Sequence, residues 1–328
     1  MKNKQNSEQK KEIQVGGQAV IEGVMMRGPK YLATAVRRKD KSIEIKKQKF
    51  DSKTKQNKFF GLPIIRGFVS LVEMMIIGIG TLSFSASRAE LDWEDKDKEK
   101  KKKKSESREK TEEIFSYIFA FGLAFLLFAF LPYRIAEWLN LGKQNIYFNL
   151  FAGAIRIIFF VLYVWLISLM KDVKRIFEYH GAEHKSVFAY ESDTDLSLES
   201  IQKFGTQHPR CGTSFMFFVL LISILVFSIV DTLVAYFWKT PTYIVRLAYH
   251  ILMIPFISGI SYEVLKLSGK NIKHPLVKLM TAPGLALQKI TTQPPDNEQV
   301  EVAVIAMKCA LEMDISEYEN VTFIEENK

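Results

Sequence analysis

Apolar residues in this chain fall in long blocks separated by short, heavily charged segments. Residues 114–133 form 20 consecutive positions without a charge, and 212–230 form 19. Residues 148–170 are apolar apart from Arg156, and 247–262 apart from His250. A helix needs about 20 largely apolar residues to cross the hydrocarbon core of a bilayer. The pattern therefore predicts four transmembrane helices within a domain spanning 113–265. A fifth apolar stretch, 62–86, differs in kind. It carries Arg66 and Glu73 and is rich in glycine. A fifth span would put the Lys-rich N-terminus outside, so 61–90 reads as an amphipathic or re-entrant helix on the inner face.

Outside these blocks the pattern changes period. Gly16, Gly17, Gly23 and Gly28 punctuate 15–29 and predict short strands joined by tight turns. Residues 32–38 and 42–47 alternate apolar and polar positions around Arg38-Lys-Asp-Lys41, which predicts a β-hairpin. A small β-rich cytoplasmic unit thus covers 13–60, after a disordered tail at 1–12. Segment 91–112 is a charged linker in which seven of the nine residues from Lys96 to Lys104 are lysine. In the C-terminal cytoplasmic segment, 266–328, the spacing predicts short helices at 275–280 and 285–290, broken at Pro283-Gly284. A last helix, N-capped by Asp296, extends to about Met313 and packs through Val300, Val304, Met307 and Leu311.

Composition adds orientation. The 328 residues are 48% hydrophobic and 25% charged, with a net charge of +9. Lysine and arginine concentrate in the N-terminal 60 residues, the charged linker, the loop after the second span and the C-terminal tail. The connections around Lys143 and Lys239 carry little charge. Four spans with both termini in the cytoplasm satisfy every loop. The expectation is a multi-pass protein of the cell membrane whose positive charge meets anionic lipid rather than nucleic acid. No secretory signal peptide is expected, because the first apolar run begins too far in. Cys211 and Cys309, the two cysteines, fall on the reducing side, so a disulfide is not expected.

Candidate chemistry concentrates in one polar loop, 171–212. Three of the five histidines lie within 180–211, together with Cys211. If the second span continues as a helix through Lys171 to His180, then His180 and His184 sit one turn apart on one face. Two imidazoles at that spacing can share a metal ion, and the intervening Glu183 completes an H-x-x-E-H pattern. Glu191 returns to nearly the same stripe and is an additional ligand candidate. His208-Pro-Arg-Cys211 brings two more donors to the same membrane face, just before a helix N-terminus that favours a thiolate. His180, His184, His208 and Cys211 would make a tetrahedral set, with zinc the first choice from ligand softness. Glu183 is the candidate general base. The glycine-rich element packs as a turn, or else brings Glu22 or Arg27 to the metal site to bind substrate. Within the spans, Arg156 and Asp231 lie about 21 and 28 Å from the inner helix ends, which predicts an Arg156–Asp231 contact with Arg246 nearby.

Four segments together, 16–29, 180–184, 208–214 and Thr291-Thr-Gln-Pro-Pro-Asp296, resemble the YqhQ-like family of bacterial membrane proteins, a domain-of-unknown-function family described as predicted metal-dependent enzymes. The resemblance covers about 13–313. It implies metal ligation by His180, His184, His208 and Cys211, with Glu183 as acid/base. The functional expectation is a metal-dependent membrane enzyme, most simply a hydrolase, acting at the cytoplasmic face on a substrate the sequence does not name. The alternatives are a membrane assembly or scaffold protein with a structural metal and, less favoured, an ion-handling protein built around Arg156, Asp231 and His250.

Overall fold

A computed structural model describes residues 15–97, 106–139, 146–238, 242–271 and 274–324. The N-terminal tail, the centre of the charged linker, Lys143 and Lys239 lie outside the described residues. The chain opens with four strands, β1 (Gly16–Val20), β2 (Gly23–Arg27), β3 (Tyr31–Arg37) and β4 (Ile43–Lys49). They form an antiparallel meander, with Val20 opposite Gly23 and Arg37 opposite Ile43. The two-residue turn between β1 and β2 holds Glu22 at φ 52. The hairpin expected across 32–47 is therefore present, with two more before it.

The helices follow in order: α1 (Lys53–Gln56), α2 (Ile65–Asp97), α3 (Glu106–Phe125), a π-helical turn (Leu126–Phe130), α4 (Leu131–Trp138), α5 (Ile146–Ser168), α6 (Lys171–Glu191), α7 (Leu198–Gln202), α8 (Gly212–Trp238), α9 (Tyr243–Lys270), α10 (Pro275–Thr291) and α11 (Asn297–Ala310). A last short strand, β5 (Val321–Phe323), adds to β4 in parallel.

The strands do not form a unit of their own. Val24, Met26, Ala33, Ala35, Ile43 and Ile45 bury against Tyr179, Ala182 and Val187 of α6 and against Val300, Val304 and Met307 of α11. The two ends of the chain and its central loop thus share one core. Helix α11 is apolar on nearly all sides because it lies inside that core. It starts as expected: Asp296 accepts from Gln299 N at 2.7 Å, and the Gln299 side chain returns to Asp296 N at 3.0 Å.

Among the described residues, five helical stretches are long and apolar enough to cross a membrane: Ile65–Asp92, Ile114–Trp138, Ile146–Ser168, Gly212–Phe237 and Ile244–Gly269. Four correspond to the expected spans. The fifth, Ile65–Asp92, makes five candidate spans where four were expected, and it lies in one unbroken 33-residue helix that begins at Ile65. The features that told against it are locally matched. Arg66 Nε donates to Glu263 Oε1 of α9 at 2.6 Å, and Glu73 accepts from Ser52 Oγ at 2.8 Å and Lys53 N at 2.6 Å. From Glu73 onward α2 runs beside the sheet. Ile21 N donates to Ser85 Oγ at 3.2 Å, Arg88 pairs with Glu44 at 3.3 Å, and Arg38 pairs with Asp92 at 2.8 Å.

Two further expectations are corrected. The second span does not run straight into the histidine helix: α5 ends at Ser168, and Met170 is extended with ψ 133 before α6 begins. That break lets α6 leave the bundle and enter the shared core. Conversely, Pro283-Gly284 does not divide α10, which is continuous over 17 residues. The carbonyl that Pro283 leaves unbonded is that of Leu279, which lies on the exposed face of the helix.

Candidate metal centre

The His180 and His184 rings lie one turn apart on α6, with centroids 4.4 Å apart. Each ring is oriented by a backbone carbonyl. His180 Nδ1 meets the Thr291 carbonyl at 2.8 Å, and His184 Nδ1 meets the Thr206 carbonyl. A carbonyl only accepts, so both Nδ1 atoms carry the hydrogen and both Nε2 lone pairs are left for another partner. Fixing the tautomer through the distal nitrogen is the usual outer-shell arrangement of ligating histidines.

The partner they share is Cys211. Its Sγ lies 3.2 Å from His180 Nε2, and one ligand atom from each of His180, His184 and Cys211 falls within 4.8 Å of the others. Cys211 is held at the start of α8, where Thr213 N approaches Sγ at 3.4 Å. This places the sulfur at a helix N-terminus, facing the bare Nε2 of His180. Burial lowers the pKa of His184 and so favours the neutral, ligating imidazole.

Glu183 is the fourth group. Its Oε2 lies 3.4 Å from His184 Nε2 and 4.0 Å from His180 Nε2. Burial pushes its pKa up, against the opposing influence of His180, His208 and a hydrogen bond from the Gly17 backbone. Gly17 explains part of the glycine-rich segment: a Cβ there would stand 2.8 Å from Glu183 Cγ. Gly181 does the same on the opposite side. A side chain at that position would run into the carbonyl of Gln293, in the 291–296 turn that also supplies the Thr291 acceptor.

The remaining expected residues go elsewhere. His208 is adjacent, its ring centroid 5.8 Å from that of His184, but its donor atoms do not join the group. Its Nε2 pairs with Glu191 Oε2 at 3.3 Å, and its Nδ1 accepts from Arg210 N at 3.3 Å. Glu191 also accepts from Arg210. Burial pulls the Glu191 pKa upward, but His208 and Arg210 outweigh it and leave the carboxyl below its ordinary value. Expected as ligands, His208 and Glu191 instead partner each other. Glu22 and Arg27 do not reach the cluster. Glu22 pairs with Arg175 and lies 3.3 Å from Tyr179 Oη, while Arg27 sits over the Phe50 ring and beside Met74 Sδ. The Arg156–Asp231 contact is replaced. Asp231 is taken by Arg246, Tyr249 and His250, and Arg156 Nε donates to Phe128 O at 3.0 Å.

Sequence reasoning missed Gln288. This fully buried side chain accepts from His208 N at 2.7 Å and donates to His208 O at 2.9 Å and Ser214 Oγ at 3.0 Å, clamping the 208–214 turn that carries Cys211. An isolated glutamine in an amphipathic helix gives no signal of such a role.

Apolar helices joined to a mixed core of strands and helices, with a His2Cys cluster where the two meet, define the class: a multi-pass membrane protein with a candidate metal centre. The chain belongs to the family described as "Protein of unknown function (DUF1385)", which it matches over residues 62–313. It is similar to "Uncharacterized protein YqhQ" of Bacillus subtilis (strain 168), with 33% identity over 316 residues, covering 93% of this chain and 94% of that protein. No solved structure matches.

Proposed function

We propose that this protein is a metal-dependent membrane enzyme of hydrolase type, with zinc held by His180, His184 and Cys211 and with Glu183 as acid/base. The observation that carries this reading is the pair of Nδ1–carbonyl hydrogen bonds, which turn two bare Nε2 atoms toward one thiol beside a buried carboxyl group. Two imidazoles and a thiolate suit zinc, and three protein donors correspond to a site with one position open to substrate or water. A bound divalent ion supplies Lewis acidity and makes water there a stronger acid. Glu183 takes the proton and returns it to the leaving group, a task suited to a carboxyl whose pKa burial has raised.

The same proposal places the shared core and both chain ends in the cytoplasm, because lysine and arginine concentrate in those segments. Helix α2 lies along the membrane surface, sheet on one side and lipid on the other. Its sheet contacts from Glu73 to Asp92 support this, as does the exposed apolar face of Val72, Met75, Ile76, Ile79 and Leu82.

A structural metal in a scaffold protein is the second reading, favoured by how near the Glu183 carboxyl stands to both Nε2 atoms. If Glu183 is the fourth ligand, the site is closed. Elemental analysis of purified Glu183→Gln protein separates the two. The enzyme reading expects the variant to keep the wild-type metal content. Loss of the metal would make Glu183 a ligand and overturn its role as acid/base.

A further inference from the structure

The end of the bundle opposite the metal-ligand cluster holds a second set of polar groups. Asp231 on α8 lies about 10 Å from the end of its helix, counting seven residues at about 1.5 Å each. It accepts from Arg246, from Tyr249 Oη at 2.5 Å and from His250 Nε2 at 2.9 Å. Arg246 is also bound by Asn149 at 2.8 Å and lies over the Tyr133 ring. Asp231 is therefore fully engaged, and Arg246 matches its charge.

Arg156 is left over. Its Nε donates to the Phe128 carbonyl at 3.0 Å. That carbonyl belongs to the π-helical turn, where the wider hydrogen-bond register loosens the backbone ladder and suits an outside donor. The bond anchors the guanidinium, while Nη1 and Nη2 make no further hydrogen bond among the described residues. Side chains lean toward the N-terminus of their helix, so Arg156 points from about 15 Å below the start of α5 toward the far end and the Asp231–Arg246 pair. Asn149, which holds Arg246, stands two turns from Arg156 on the same face of α5, so both guanidinium groups lie along that face. The charged groups facing this region from α4, α5, α8 and α9 are Arg134, Arg156 and Arg246 against Glu137 and Asp231, and Arg134 pairs with Glu137. Among the described residues, one positive charge in this region remains unmatched, with two N–H donors free.

We propose that Arg156, with Arg246 beside it, forms an oxyanion site that takes a phosphate group, carried by an anionic membrane lipid or free in solution. A planar guanidinium binds phosphate through two parallel hydrogen bonds, which Lys, a point charge, cannot reproduce. The arginine would otherwise stand uncompensated in an apolar environment, a costly placement that marks functional sites in membrane proteins. The site does not depend on the metal reading, since it is built from different helices at the opposite end of the bundle.

The test is thermal unfolding of the full-length protein in a neutral detergent, titrated separately with phosphatidylglycerol, phosphatidylcholine and inorganic phosphate. Stabilisation by phosphatidylglycerol but not by the other two is the result expected for a lipid headgroup. Stabilisation by inorganic phosphate as well supports the same site with a soluble ligand. In either case Arg156→Gln should weaken the apparent affinity about ten- to a hundredfold, the worth of a hydrogen bond to a charged group. Arg156→Lys should bind with intermediate affinity, and it keeps the test informative if Arg156→Gln does not fold. No stabilisation beyond that given by phosphatidylcholine, or equal binding by wild type and both variants, would overturn the proposal.

Discussion

At the residue scale the candidate centre depends on atoms that carry no metal-binding chemistry of their own. Carbonyls of Thr206 and Thr291 set both imidazole tautomers, and the missing side chain of Gly17 leaves room for the Met25 carbonyl of the neighbouring strand and for Glu183 Cγ. Gly17→Ala should therefore destabilise the protein by about 1–3 kcal/mol, the usual cost of forcing a group into a packed site. Thermal unfolding measures it, and a melting temperature unchanged from wild type would contradict this role for Gly17. The convergence of His180 and His184 was legible from their spacing of four residues, which helical geometry translates directly into one face. That Cys211 joins them was suggested by its place before the third span. The diversion of His208 was not legible, because it depends on Gln288, 80 residues away, and on a competing carboxylate at Glu191. Glu22 was a candidate only because its segment was unexplained. It serves as the partner of Arg175 and Tyr179, fixing the β1–β2 turn against α6.

At the scale of elements, hydropathy identifies apolar helices but not where they lie. Helix α2 has the length and composition of a span, yet Glu73, Ser85, Arg88 and Asp92 all bond to the sheet or to the segment just after it. On the proposal that α2 lies along the membrane surface, these contacts hold it against the shared core. Single-cysteine variants at Lys58 and Ser87, exposed before α2 and near its end, should react with a membrane-impermeant maleimide from the same side. Reaction from opposite sides would make α2 a span. The hairpin and the Asp296 cap were legible because they are local, set by alternation and by a side chain three residues from its partner. The break at Met170 and the continuity of α10 through Pro283 were not. In both, long-range packing overrides the local preference: α6 turns to enter the core, and α10 holds its course because the lost bond falls on its exposed side.

For the molecule as a whole, the sheet, α6 and α11 bring residues from the beginning, middle and end of the chain into one core, and the His180–His184–Cys211 cluster sits where that core meets the apolar bundle. Such a core cannot be read from contiguous segments, which suggested a separate N-terminal unit and a separate C-terminal one. Its consequence is that the site is held from three directions: β1 through Gly17, the 291–296 turn through Thr291, and the start of α8 through Cys211. The central claim is that this convergence binds a metal ion. Elemental analysis of protein purified without added metal, wild type beside His180→Ala and Cys211→Ala, tests it most directly. The account predicts close to one zinc per wild-type chain and a severe loss in both variants. Near-zero metal in all three, or equal metal in all three, would contradict it.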